Sequence, residues 1–122
     1  MKRLPDSELE LMMIIWESSE PVCRMDIEQK LDKDRNILPN TILSFLSRLE
    51  EKGFIKKEKR GKVNYYSPLI EESKYLQEEG KSIFKKVFGG SLNKFVTSLY
   101  DGKAIDKKDI EELREILDNL EE

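Results

Sequence analysis

The 122-residue sequence has no histidine and only one cysteine, Cys23. The missing histidine excludes His-based catalytic triads and dyads, as well as imidazole metal ligands. A single cysteine forms neither an intrachain disulfide nor a thiolate metal cluster, so we expect no metal site and no cofactor. A Gly-rich phosphate loop is also absent, because Gly89-Gly90 stands alone. The sequence therefore predicts that the protein is not an enzyme.

Long apolar runs are missing as well. The longest extends only from Leu11 to Trp16, whereas a membrane span needs about 18–20 apolar residues. The N-terminus lacks the apolar stretch and small-residue cleavage site of a secretory signal. These absences predict a cytoplasmic protein, in which Cys23 is either an inert thiol or, less typically, a redox sensor.

Charge is distributed unevenly along this acidic chain, whose net charge is −3. Residues 1–69 hold 13 Lys and Arg against 12 Asp and Glu, a net of +1, and residues 70–122 hold 9 against 13, a net of −4. Positions 48–62 carry seven cations and three anions. The cations are Arg48, Lys52, Lys56, Lys57, Lys59, Arg60 and Lys62. A concentrated positive field of this kind steers a polyanion.

Apolar spacing predicts three helices followed by a hairpin in the first part of the chain. The helices cover about residues 6–18, 24–31 and 38–53. The period then changes to two at Phe54-Ile55, a turn falls at Arg60-Gly61-Lys62, and the returning strand stops at Pro68. Two short helices, a helix with a polar face and a basic hairpin form the order of a winged helix-turn-helix.

The rest of the chain predicts three more helices, at about residues 71–88, 91–100 and 107–120. Their apolar surface is more than about fifty residues can bury alone, so a second copy of the chain would cover it. We expect a mainly α fold with a small β-hairpin, comprising a winged-helix DNA-binding domain (1–69) and a helical dimerisation domain (70–122). The predicted homodimer interface contains Phe84, Val87, Phe88, Leu92, Phe95, Val96, Leu99, Ile110, Leu113, Ile116, Leu117 and Leu120.

A winged fold places its third helix in the major groove of double-stranded DNA and its hairpin along the backbone. The predicted base-reading residues are Asn40, Thr41, Leu43 and Ser44, whose side chains suit base edges and thymine methyls. The predicted phosphate-binding residues are Ser47, Arg48, Lys52, Lys59, Arg60 and Lys62. Three alternatives stay open: a lysine-rich edge strand protected from aggregation, a winged helix that docks on another protein, and a repressor with a small-molecule ligand in its dimer interface.

Four stretches resemble, in order, the penicillinase repressor family: "ELELMMIIW", "PNTILSFLSRLEEKGFIKK", "VNYYSPLIEES" and "FGGSLNKFV". The resemblance covers nearly the whole chain. It implies a homodimeric transcriptional repressor with an N-terminal winged helix and a C-terminal helical dimerisation region. Such repressors bind palindromic operators built on TACA-like half-sites and block β-lactamase or related resistance genes.

The chain departs from the family pattern in three places. Penicillinase repressors tend to carry basic residues where this chain has Asn40 and Leu43, so its operator is expected to differ, while Thr41 and Ser44 match. In the β-lactam-responsive members a sensor protease cuts an Asn-Phe bond; this chain has no Asn-Phe pair, so a sensor protease could act only at another bond. The C-terminus lacks the cysteine-rich motif of the copper-responsive branch, which disfavours copper sensing.

Overall fold

The computed structural model describes residues 3–31 and 36–121. Its elements are α1 (Asp6–Glu17), α2 (Arg24–Lys30), α3 (Pro39–Glu51), β1 (Ile55–Arg60), β2 (Val63–Pro68), α4 (Glu72–Lys86), α5 (Leu92–Asp101) and α6 (Lys107–Leu120). The chain divides into two compact units, residues 1–78 and 79–122. The mainly helical fold with a basic two-stranded hairpin is thus confirmed.

Helix α1 supplies much of the core of the first unit. Asp6 and Glu8 lie in its first turn, where negative charge is favourable near the positive end of the helix dipole. Leu11, Met12 and Ile15 are almost completely buried. They share one apolar core with the buried residues of α3, which are Ile42, Leu46 and Leu49.

Helix α3 passes directly into the hairpin. Pro39 occupies its first turn, where proline's fixed φ is compatible with the helix and its missing N–H is not needed. At the other end Gly53 has a φ of +80°, and its N–H donates to the Glu50 carbonyl over 3.0 Å. The Phe54 N–H donates to the Leu49 carbonyl over 3.0 Å, which completes a Schellman motif. The motif fixes the joint between α3 and β1.

The hairpin, which we call the wing, is anchored at its base and exposed at its tip. The register pairs Arg60 with Val63, so the turn consists of Gly61 and Lys62, and Gly61 has the positive φ (+64°) that such a tight turn requires. In β1 only Ile55 is buried, and in β2 only Tyr66. Tyr66 also exchanges two backbone hydrogen bonds with Val22, of 2.7 and 2.9 Å. The base of the wing is therefore held by the core, while the tip extends into solvent.

The first unit continues into the first part of α4. The Tyr75 side chain is buried, and its hydroxyl accepts a hydrogen bond from the Leu4 N–H over 2.9 Å. Its ring centroid lies 5.6 Å from that of Trp16 and 5.8 Å from that of Phe54. The Trp16 indole N–H donates to the Ile70 carbonyl over 2.8 Å. The first compact unit thus includes residues 70–78, which the sequence-based division assigned to the C-terminal region.

The second unit is well capped but has little core of its own. Ser91 caps α5 by accepting from the Lys94 N–H, and Asp106 and Asp109 form a reciprocal capping box at the start of α6. In α5 and α6, both of which the structure describes in full, no side chain is buried. None of the helices in the described part of the chain combines the length and apolar character that a membrane crossing requires.

Candidate nucleic-acid interface

The residues predicted to read bases occupy exposed positions on α3. Asn40, Thr41 and Ser44 are all exposed, and Leu43 is 40% exposed. The Ser44 hydroxyl donates to the Asn40 carbonyl over 3.1 Å, so its oxygen is left to accept a further hydrogen bond. Because the buried residues of α3 lie at other positions of the helical period, this polar surface can approach another molecule without disturbing the core.

A shallow cavity of about 230 Å³ joins α3 to the start of α2 and to the wing. Its lining residues are Cys23, Arg24, Met25, Leu43, Lys62, Val63, Asn64 and Tyr66. The predictions included Leu43 and Lys62 but missed Arg24, Met25 and Asn64, because their proximity to α3 depends on tertiary packing. The first unit therefore brings three elements together on one surface.

Asp26 stabilises the beginning of α2, the helix whose first residues line this cavity. The Cys23 N–H donates to the Asp26 carboxylate over 3.0 Å, and this hydrogen bond holds the pKa of that carboxyl below its usual range. A carboxylate in the first turn is also favoured by the helix dipole.

The tip of the wing presents three exposed cations, Lys59, Arg60 and Lys62. Arg60 lies 3.2 Å from the Glu58 carboxylate, and its guanidinium carbon lies 5.0 Å from the Tyr65 ring centroid. Both side chains of the Arg60–Glu58 pair are more than half exposed, so water screens the attraction and the pair holds Arg60 only weakly. Among the described residues, no ion pair involves Lys59 or Lys62. Within the described residues, the tip thus offers two unpaired lysines and one weakly held arginine.

Three of the cations closer to the core have partners within the chain. The Arg48 guanidinium carbon lies 5.9 Å from the Phe45 ring centroid, and the Lys57 ammonium lies 3.8 Å from the Glu50 carboxylate. The Lys52 ammonium lies 2.6 Å from a carboxylate oxygen of Glu8. Phosphate contacts by Arg48, Lys52 and the exposed Ser47 stay predictions, and Lys52 already has an anionic partner.

The residues predicted to form a dimer interface are incompletely covered in a single chain. Phe84, Phe88, Phe95, Val96, Leu99, Ile110 and Leu113 are half-buried, and Val87, Leu92, Ile116, Leu117 and Leu120 are exposed. The Phe95 ring centroid lies 4.9 Å from that of Phe88 and 6.5 Å from that of Phe84. A groove of about 510 Å³ runs between α5 and α6, partly lined by Val96 and Ile110. The second unit therefore exposes a broad apolar surface.

Comparison with known proteins places this architecture in a family. The family model described as "Penicillinase repressor" matches residues 4–119. The penicillinase repressor of Bacillus licheniformis is 33% identical over 97% of this chain and 94% of its own length. The methicillin resistance regulatory protein MecI of Staphylococcus aureus (strain N315) is 34% identical over 93% of this chain and 92% of its own.

A solved structure gives the same assignment for the first unit. The DNA-binding domain of the repressor BlaI superposes with a TM-score of 0.51 at 37% identity, covering 60% of this chain and 92% of that domain. With the polar face of α3 and the basic wing in place, the resemblance noted in the sequence is confirmed, and the chain belongs to the penicillinase repressor family.

Proposed function

We propose that this chain, a DNA-binding transcriptional repressor like the rest of its family, acts as a homodimer on a palindromic operator. The observation that carries the proposal is that an exposed polar face of α3 lies beside a wing with an exposed basic tip. Among the described residues Lys59 and Lys62 have no ion pair there, and Arg60 has only a solvent-exposed one with Glu58. An anionic duplex is the partner that this arrangement suits, since phosphate contacts supply affinity and base edges supply specificity.

In the proposed complex α3 lies in the major groove. Asn40 pairs with a base edge, Thr41 and Leu43 pack on thymine methyls, and the Ser44 hydroxyl contacts either kind of edge. Ser47 and Arg48, toward the C-terminal end of α3, contact phosphates. Lys59, Arg60 and Lys62 contact phosphates beyond the groove, where their exposure lets them approach without desolvating a core.

The homodimer follows from the uncovered apolar surface of the second unit. Covering side chains such as Leu117 and Val87, which are 48% and 69% exposed, releases ordered water and favours association. Two linked winged helices turn binding to the second half-site into an intramolecular step, which raises affinity without new contacts. Relatives carry the names penicillinase repressor and methicillin resistance regulatory protein, so we propose that a resistance gene is the target.

The test is DNA binding to labelled fragments from the neighbourhood of the protein's own gene, measured by electrophoretic shift and by fluorescence anisotropy. We expect one fragment to bind much more tightly than scrambled duplexes of the same length. Exchange of Lys59, Arg60 and Lys62 for Gln should weaken binding to all duplexes alike, whereas Asn40→Ala or Ser44→Ala should change which duplex is preferred.

A matched control removes the same number of exposed cations from the second unit, by exchanging Lys94, Lys103 and Lys108 for Gln. We expect this control to bind like the wild type. Equal losses in the wing variant and in the control would mean that net charge alone drives binding. If the wild type shifts no fragment and shows no measurable affinity for any duplex, the alternative of a winged helix that docks on another protein is favoured.

A further inference from the structure

Glu8 is an unusual residue for its location on α1. Among the described residues it is the only charged side chain in the core, and it is 3% exposed. A carboxylate removed from water is costly unless a positive group and hydrogen bonds replace its hydration. The Lys52 ammonium is that group, since it donates to Glu8 Oε1 over 2.6 Å.

Lys52 lies where α3 passes into the wing. It is the C-cap of α3, directly after Glu51, and it precedes Gly53, whose positive φ directs the chain into β1. The Glu8–Lys52 pair therefore connects α1 to the joint between α3 and the wing. In the proposed function, α3 and the wing are the two elements that contact DNA.

Apolar packing alone does not fix the orientation of α3 relative to α1 as firmly as this ion pair does. The core between α1 and α3 consists of aliphatic side chains, whose attraction is non-directional and tolerates small rotations. A charge-assisted hydrogen bond in a poorly hydrated site is directional, and a displaced Lys52 would leave the buried carboxylate without its counter-charge. The pair thus selects one setting of α3 relative to α1 among those that the apolar core allows.

We infer that Glu8 is a positioning residue for DNA recognition, acting through Lys52 to fix the orientation of α3 and of the wing. The inference rests on the proposed function. It assigns Lys52 to an internal contact, in place of the phosphate contact that its sequence position suggested. Neither side chain needs to touch the duplex for the loss of either one to weaken operator binding.

The test combines a double-mutant cycle with salt dependence. Glu8→Gln keeps the shape of the side chain and removes its charge, and Lys52→Met keeps the aliphatic stem and removes the ammonium. We expect each variant to lose about tenfold in affinity for the fragment that the wild type prefers, with no further loss in the double variant. Affinity for a scrambled duplex should change by less than twofold, because the wing cations remain.

The salt dependence separates positioning from direct contact. A lysine that neutralises one phosphate contributes about 0.9 to the slope of log affinity against log salt. We expect Lys52→Met to leave that slope unchanged. Lys52→Arg keeps the positive charge, so it should retain the wild-type preference for the operator over scrambled duplexes. The Lys57–Glu50 pair, which is longer and more exposed, supplies the control: Glu50→Gln should leave both affinities unchanged.

Three outcomes would overturn the inference. The first is a slope that becomes shallower by about 1.8 in Lys52→Met, about 0.9 for each chain of the proposed dimer, while Glu8→Gln binds normally, because Lys52 would then be a phosphate ligand. The second is an equal loss on operator and scrambled duplexes. The third is additive losses in the double variant.

Failure of the proposed function looks different, since the wild type itself would then show no preferred fragment. Far-ultraviolet circular dichroism confirms that each variant is folded, and Lys52→Arg gives a second test if Lys52→Met is not.

Discussion

Removing one hydroxyl group, in Tyr75→Phe, should measurably destabilise the winged unit although Tyr75 lies beyond the wing in sequence. The Tyr75 hydroxyl accepts from the N–H of Leu4, and both residues are only 2% exposed. The phenylalanine ring can keep the contacts with Trp16 and Phe54, so the chief loss is the partner of a buried N–H. Leaving a buried donor unsatisfied costs about 1–3 kcal/mol.

That free energy converts to a measurable change in urea unfolding. The denaturant slope for a small protein is about 1–3 kcal/mol per molar urea, so a loss of about 2 kcal/mol lowers the midpoint by about 1 M. Trp16 is the only tryptophan and adjoins Tyr75, so its fluorescence reports on this site. Tyr100→Phe is the matched control, because Tyr100 is 45% exposed and should shift the midpoint little. Equal midpoints for Tyr75→Phe and the control would refute the role given to this hydrogen bond.

Four further predictions follow from the same structure. A fragment of residues 1–78 should fold and remain monomeric, whereas a fragment of residues 1–69, which lacks the buried Tyr75 ring, should lose at least about 3–5 kcal/mol of stability, as compared by circular dichroism during urea unfolding. Gly61→Ala forces a side chain into a left-handed conformation, so the melting temperature should fall by an amount equivalent to about 1–2 kcal/mol and DNA affinity should fall with it. Because the folded-state pKa of Asp26 is depressed, its charged form stabilises the protein above the unfolded pKa of about 3.9 and ceases to do so as the pH falls through the folded value; urea midpoints of wild type and Asp26→Asn should therefore differ at pH 7 and converge as the pH falls through that lower value. Leu117→Glu should shift a dimer toward monomer in analytical ultracentrifugation at micromolar concentration, unlike Lys103→Glu, which leaves the apolar surface intact.

Local sequence signals predicted the elements of the winged unit well. Helix α3 was identifiable because Ile42, Leu46 and Leu49 recur at helical spacing between a starting proline and a terminating glycine. The hairpin was identifiable because Gly61 and Lys62 separate two segments of alternating pattern. These signals depend on a few neighbouring residues, so one sequence suffices to recognise them.

Tertiary pairing was not accessible in the same way. The sequence places Tyr75 in a C-terminal helix. Only the fold shows that its side chain is buried against Trp16, in the first unit. Glu8 and Lys52 are 44 positions apart, so a count of cations between positions 48 and 62 does not distinguish the paired Lys52 from the exposed Lys59. The charge cluster predicted a polyanion partner, but which cations face that partner depends on contacts between distant segments.

The most direct test of the account is the slope of log affinity against log salt for the intact chain, measured on its preferred fragment between about 50 and 200 mM salt. The wild type should show a steep negative slope. The variant in which Lys59, Arg60 and Lys62 are exchanged for Gln should be shallower by up to about 5.4, since the proposed dimer loses six cations and each neutralised phosphate contributes about 0.9. An identical slope for the two proteins would contradict the claim that the exposed wing tip holds the DNA backbone.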